Sequence, residues 1–207
     1  MTAFLVGVPT TDSPARARIL DVAAGLFLKQ GYEAASLRRI ADAVGIQAAS
    51  IYHHFASKED LLEAILRRGI TVMDEAFTAA EVASVGTDDD RIGRRARLAT
   101  HIRAHLAALY ENGPFTAAHI TTFRTAPKVV RQAIVPVRDA YEARWTALLT
   151  DLTGGADAIG PARLMLLGGM NASVEWFDPS RGSLDDLAGV VTRQFWSGLS
   201  GPPDPNP

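Results

Sequence analysis

Ser36-Leu-Arg-Arg-Ile-Ala-Asp-Ala-Val-Gly-Ile-Gln-Ala-Ala-Ser-Ile-Tyr-His-His-Phe55 sets two short segments with apolar faces on either side of a single glycine. Leu37, Ile40, Ala41 and Val44 recur at i, i+3, i+4 and i+7, the spacing of one helical stripe, while Arg38, Arg39 and Asp42 fall on the other side. Gly45 can take the positive φ of a tight turn without steric cost, so it ends the first helix. Ile46 plugs the corner, and Ala48 to Phe55 is expected to form a second, two-turn helix with Ile51 and Phe55 turned inward. Ala48, Ala49, Ser50, Tyr52, His53 and His54 then point outward, a face of small and hydrogen-bonding groups with no carboxylate to repel phosphate. Two short helices meeting at a tight turn are the arrangement that carries a helix into the major groove of DNA.

The remainder of the chain reads as all-α. Ser13-Pro14 starts a helix whose Ile19, Val22, Ala23, Leu26 and Phe27 make one face as far as Gly31. Ser57-Lys-Glu-Asp60 reads as a capping box opening a long helix towards Glu81. A polar break over 85–90 precedes helical periodicity from Arg91 to Tyr110, stopped by Asn112-Gly-Pro, and helix resumes from about Phe115 to Pro127. Lys128 to Thr150 is long and amphipathic. From Pro161 the run Ala-Arg-Leu-Met-Leu-Leu-Gly-Gly-Met is apolar on nearly every side, so it is expected to lie sandwiched, with Gly168 and Gly169 allowing close helix approach. Ser183 caps a last helix with a stripe of Leu184, Leu187, Ala188, Val191, Phe195 and Leu199. The expected division is a disordered leader at 1–12, a helix-turn-helix unit at 13–58, an effector-binding and dimerisation unit at 59–200, and a disordered tail at 201–207.

A formal net charge of −2 excludes a generally basic nucleic-acid coat, so any attraction to DNA must come from local charge placement. The chain has no cysteine, which fits a reducing cytoplasm, and its first residues have neither the basic start of a signal peptide nor the length of a membrane span. A cytoplasmic protein without membrane contact is expected.

The run Arg16-Ala-Arg-Ile-Leu, Leu26-Phe27, Gly31-Tyr32, Ser36, Ile40-Ala41, Gly45, Tyr52-His53-His54-Phe55, Lys58 and Leu61-Leu62 resembles the TetR family of bacterial one-component repressors over the first third of the chain. The resemblance implies a homodimer with an N-terminal DNA-binding unit, a C-terminal helical unit that binds a small effector, and double-stranded DNA with a palindromic operator as partner. It also implies contacts from Ser36 and Arg38, base-facing positions at Gln47, Ala48, Ala49 and Ser50, and phosphate clamps at Tyr52, His53, His54 and Lys58. The segment Gly169 to Gly182 is similar to one found in members that answer acyl-coenzyme A thioesters: Asn171, Trp176, Phe177 and Pro179 fit, whereas Ala172 and Ser173 replace a tryptophan and a threonine.

His101 and His105 stand four apart on one helix face, a spacing that suits either metal chelation or the lining of a pocket; pocket lining is the expectation, with no metal and no cofactor. Arg124, Arg131 and Arg138 recur every seven residues, a row that reads either as a solvated face or as a seat for an anionic head. His101, His105, Arg131, Arg138, Asn171 and Trp176 are therefore the expected effector residues. An acyl-coenzyme A fits them, and a neutral lipophilic drug or metabolite is the alternative. No nucleophile with a base, carboxylate pair or phosphate loop is found, so the chain reads as non-enzymatic. A helical ligand carrier that does not bind DNA is the remaining class. Dimerisation is expected through Pro161 to Phe177 and Ser183 to Leu199 as a four-helix bundle.

Overall fold

The computed structural model describes residues 13–86, 90–155 and 158–199, and no strand occurs among them. The expected leader and tail lie outside the described residues. The helices are α1 (Pro14–Gln30), α2 (Leu37–Val44), α3 (Ala48–Ile51), α4 (Lys58–Ala83), α5 (Arg91–Glu111), α6 (Pro114–Thr122), α7 (Lys128–Thr153), α8 (Ile159–Ala172) and α9 (Leu184–Leu199).

The N-terminal unit is built from local signals. Ser13, Ser36 and Ser57 each cap a helix by accepting from the backbone N–H three residues on, those of Arg16, Arg39 and Asp60 at 3.3, 3.2 and 3.0 Å. The return arm of the capping box is shifted by one residue, because Asp60 accepts from the Ala56 N–H at 2.9 Å. Gly45 sits at φ 81°, ψ 35° and closes α2 with paired bonds, Ile46 N–H to Ala41 O at 3.0 Å and Gly45 N–H to Asp42 O at 3.2 Å. Against the two-turn expectation, α3 is one turn long, and Tyr52 to His54 continue as turns bonded back to Ser50 and Ile51. The chain must leave the helix there so that Phe55, buried beside Ile51, closes the core and Ser57 can start α4.

Ile19, Ala23 and Phe27 of α1, Ile40 and Ala41 of α2, and Leu61, Leu62 and Ile65 of α4 share one buried core with Ile51. α4 runs on from it into the second bundle, where it packs on α5, α6 and α7. α6 also touches α1, so it bridges the two units. At Gly69 the α4 and α6 backbones come so close that an added Cβ would lie 2.7 Å from Phe115 O and 2.8 Å from His119 Cβ. Only glycine fits there without a shift.

The expectation for α8 is corrected. Leu166, Leu167 and Met170 are buried against the protomer, but Leu164 is 59% and Met165 70% exposed. A Cβ added at Gly168 or Gly169 would meet no heavy atom of another element within 4 Å, so the two glycines allow no close approach inside the protomer. The physical reason is that α8 lies on the flank of the bundle, with α7, α9 and α5 on one side of it.

Candidate nucleic-acid interface and ligand core

Around α2 and α3, the structure keeps most of the expected DNA-facing side chains at the surface. Ser36, Arg38, Gln47, Ala49, Tyr52 and His53 are exposed, and Ala48, Ser50, His54 and Lys58 are half-buried. Gln47 occupies the cap position of α3 in extended backbone without using its side chain as a cap, so its amide stays available to a base edge. Tyr52 is 58% exposed.

Two of the expected contacts carry a structural task as well. The Ser36 hydroxyl is engaged as a helix cap. The Lys58 ammonium lies 4.0 Å from the Tyr32 ring centroid and donates to Glu33 O at 3.4 Å. An ammonium has three donors, so this tether holds Lys58 at the start of α4 with N–H groups left for a phosphate oxygen. Tyr32 in turn donates to Glu59 at 3.1 Å, which with burial pushes its phenol up, while the α4 backbone amide and this bond hold the Glu59 carboxyl down. These links fix the α1–α2 connection against α4, and the sequence reading missed them. The only trace in the chain is the aromatic Tyr32 preceding a helix start that carries both a cation and an acid.

The second candidate site lies between α5, α7 and α8. His105 is 2% exposed and saturated: its Nδ1 is 2.9 Å from the Tyr141 hydroxyl and its Nε2 3.0 Å from Asn171 Oδ1. A neutral imidazole satisfies both when Tyr141 donates to Nδ1 and Nε2–H donates to Asn171. Burial lowers this histidine to about 4. One turn away, buried His101 bonds Arg97 O through Nδ1 at 2.9 Å, and its Nε2 is buried without a hydrogen-bond partner. Burial lowers His101 too. Phe77 and Trp145 stand edge-on to His101, at 4.6 and 6.3 Å between ring centroids. Trp145, expected from the sequence as core or dimer packing, is fully buried in the core, whereas Tyr141 was not singled out, although its i, i+4 spacing with Trp145 on α7 mirrors that of His101 and His105 on α5. Among the described residues no group of three or more His, Asp or Glu side chains is placed to hold a metal.

The remaining expected effector residues have partners of their own. Arg131 is turned back onto Ala126 O. Arg138 stacks over the Phe123 ring at 4.5 Å and lies 3.3 Å from Glu142. Trp176 is 64% exposed and packs against Phe177. A separate open groove of about 800 Å³ runs between α5 and α9, and none of the six expected effector residues lines it.

Comparison with known proteins sets this geometry in context. Residues 19–65 match the family described as bacterial regulatory proteins, tetR family, and residues 93–199, just over half of the chain, match the tetracyclin repressor-like C-terminal domain. The HTH-type transcriptional repressor KstR2 of Rhodococcus jostii is 51% identical over 74 residues, 35% of this chain and 35% of that protein. The chain matches about a quarter to a third of the length of the KstR2 relatives. The HTH-type transcriptional activator FasR of Mycolicibacterium smegmatis is 28% identical over 191 residues, 89% of this chain and 83% of that protein. Among solved structures, the TetR family transcriptional regulator PfmR of Thermus thermophilus superposes with a TM-score of 0.70 at 28% identity, covering 89% of this chain and 98% of that one.

Proposed function

The chain belongs to the tetR family of bacterial regulatory proteins, and we propose that it is a repressor that binds a palindromic operator as a homodimer and is released by an acyl-coenzyme A. The observation that carries the DNA reading is the Gly45 turn, which presents α3 with an uncommitted Gln47 and exposed Ala49 and Tyr52. Gln47, Ala48, Ala49, Ser50 and Arg38 read base edges in this proposal; Ser36, Tyr52, His53, His54 and Lys58 hold the backbone. Residues 13–58 act as the reading head and 59–200 as the effector and dimer unit.

The dimer reading is supported by the bare face of α8. Pro161, Leu164, Met165, Gly168 and Ala172 are exposed at helical spacing, an apolar stripe with two small residues that would admit a second helix closely. The effector reading is supported by the buried His101 Nε2, a polar atom without a hydrogen-bond partner in an apolar bundle beside the closed His105, Tyr141 and Asn171 cluster. Release follows if the ligand binds better to a dimer whose reading heads no longer match successive major grooves.

The test is operator release measured against acyl-coenzyme A thioesters, their free acids and neutral lipophilic compounds. Release by thioesters is expected; release by the acids or neutral compounds alone would remove the coenzyme A reading. A second reading, activation, is favoured by the reach of the FasR match over 89% of the chain. Deleting the gene distinguishes the two, because transcription from a bound promoter rises for a repressor and falls for an activator.

A further inference from the structure

The groove between α5 and α9 lies away from the His105 cluster and is lined by four arginines, Arg91, Arg95, Arg103 and Arg193, against a single carboxylate, Asp185. That carboxylate is already paired with Arg103, which also lies 3.6 Å from Glu111. Arg95 and Arg193 are exposed and make no ion pair among the described residues. The floor is apolar: Trp196 is 7% exposed at its base, and Ile92 stands 78% exposed at its mouth. At the start of α5 the Asp90 carboxylate caps the helix by accepting from the Gly93 N–H at 2.7 Å, so the positive character of the groove comes from its arginines and not from the helix end.

Space and charge agree. The volume of about 800 Å³ is within the range of small-molecule sites. At Gly189 the floor has no side chain, and a Cβ there would touch the Arg193 guanidinium at 3.4 Å, so Arg193 lies folded along the groove beside an open strip of backbone. The groove-lining Asp185, Gly189 and Arg193 belong to α9, and none of the α8 residues of the bare apolar stripe lines the groove.

We propose that this groove is a binding site for a single-chain amphiphile with an anionic phosphate or carboxylate head, its tail along Ile92 and Trp196 and its head between Arg95 and Arg193. The site is independent of the effector reading above and takes the free molecule rather than a membrane surface. Guanidinium groups pair bidentately with both head chemistries, and each lost charge-assisted contact weakens binding by about tenfold.

Binding of decyl phosphate, decanoate and decyltrimethylammonium to the full chain by titration calorimetry, below their micelle concentrations and without DNA, tests this. Saturable binding of the two anions but not the cation is expected. Arg95→Gln with Arg193→Gln should weaken it at least about tenfold by removing the head contacts. Gly189→Leu should weaken it similarly by filling the floor, and circular dichroism checks that each variant keeps its helices. Equal binding of the cation, or wild-type affinity in both variants, would overturn the proposal. Because DNA is absent, failure here leaves the operator reading untouched, and failure of operator release leaves this site untouched.

Discussion

His105 Nε2 lies 3.0 Å from Asn171 Oδ1, a bond that joins α5 to α8 across 66 residues of sequence and, with Tyr141 at Nδ1, leaves both nitrogens of a buried imidazole hydrogen-bonded. Protonation would place a charge in an apolar bundle, which burial opposes. The histidine therefore couples the packing of α8, the helix with the bare apolar face, to proton concentration.

Stability should fall in mild acid. His105 sits at about 4 in the fold against 6.5 for an ordinary imidazole, so between those values the unfolded chain binds more protons and stability rises with pH. The contribution is complete above about pH 6.5 and is lost as pH falls towards 4, on the order of 3 kcal/mol in all. His119, also lowered to about 4 by burial, acts in the same direction. Urea midpoints at pH 7 and 4.5 measure this, and a His105→Gln variant should show a flatter pH dependence. Equal midpoints at the two pH values would contradict the assignment.

Gly69→Ala should strain the joint between α4 and α6, because the new methyl meets backbone at Phe115 O, which cannot move aside as a flexible side chain does. A loss of about 1–3 kcal/mol is expected from overpacking. Since α6 also touches α1, operator affinity should change along with thermal stability. Unaltered melting and unaltered affinity would mean that the two helices separate freely.

Leu164→Glu or Met165→Glu should give monomers by sedimentation velocity with helical content intact, since both side chains are exposed in the protomer and contribute little to its own core. Leu187 and Val191 are poorer probes, because both pack partly against the protomer core and a charge there would confound folding with assembly. Dimers that persist in both α8 variants would move the interface elsewhere.

The DNA-facing residues should separate into two kinds. Tyr52→Phe and Lys58→Ala are expected to weaken binding to every operator variant and reduce its salt dependence, Lys58 by about one unit of slope. Gln47→Ala and Ser50→Ala should instead relax base preference, by about 1–3 kcal/mol at the positions read. Competition assays across single-base operator variants at two salt concentrations distinguish these, and identical profiles for both sets would reverse the roles.

The sequence by itself determined the helix-turn-helix, because its signals act over three to five residues: the serine caps at Ser13 and Ser57, the left-handed turn at Gly45, and the i, i+3, i+4 stripe from Leu37 to Val44. The helical class and most helix boundaries followed from the same short-range chemistry. Tertiary structure decided what such signals do not encode, namely which partner each side chain meets. The composition of α8 said only that it was apolar, and its flank position left Leu164 and Met165 bare. Arg131 and Arg138 looked like a free row until the backbone at Ala126 and the Phe123 and Glu142 side chains engaged them. The approach at Gly69, the joining of His105 to Asn171, and the groove between α5 and α9 all depend on contacts between residues far apart in the chain. Periodicity gives the direction a side chain points, and only packing gives what stands there.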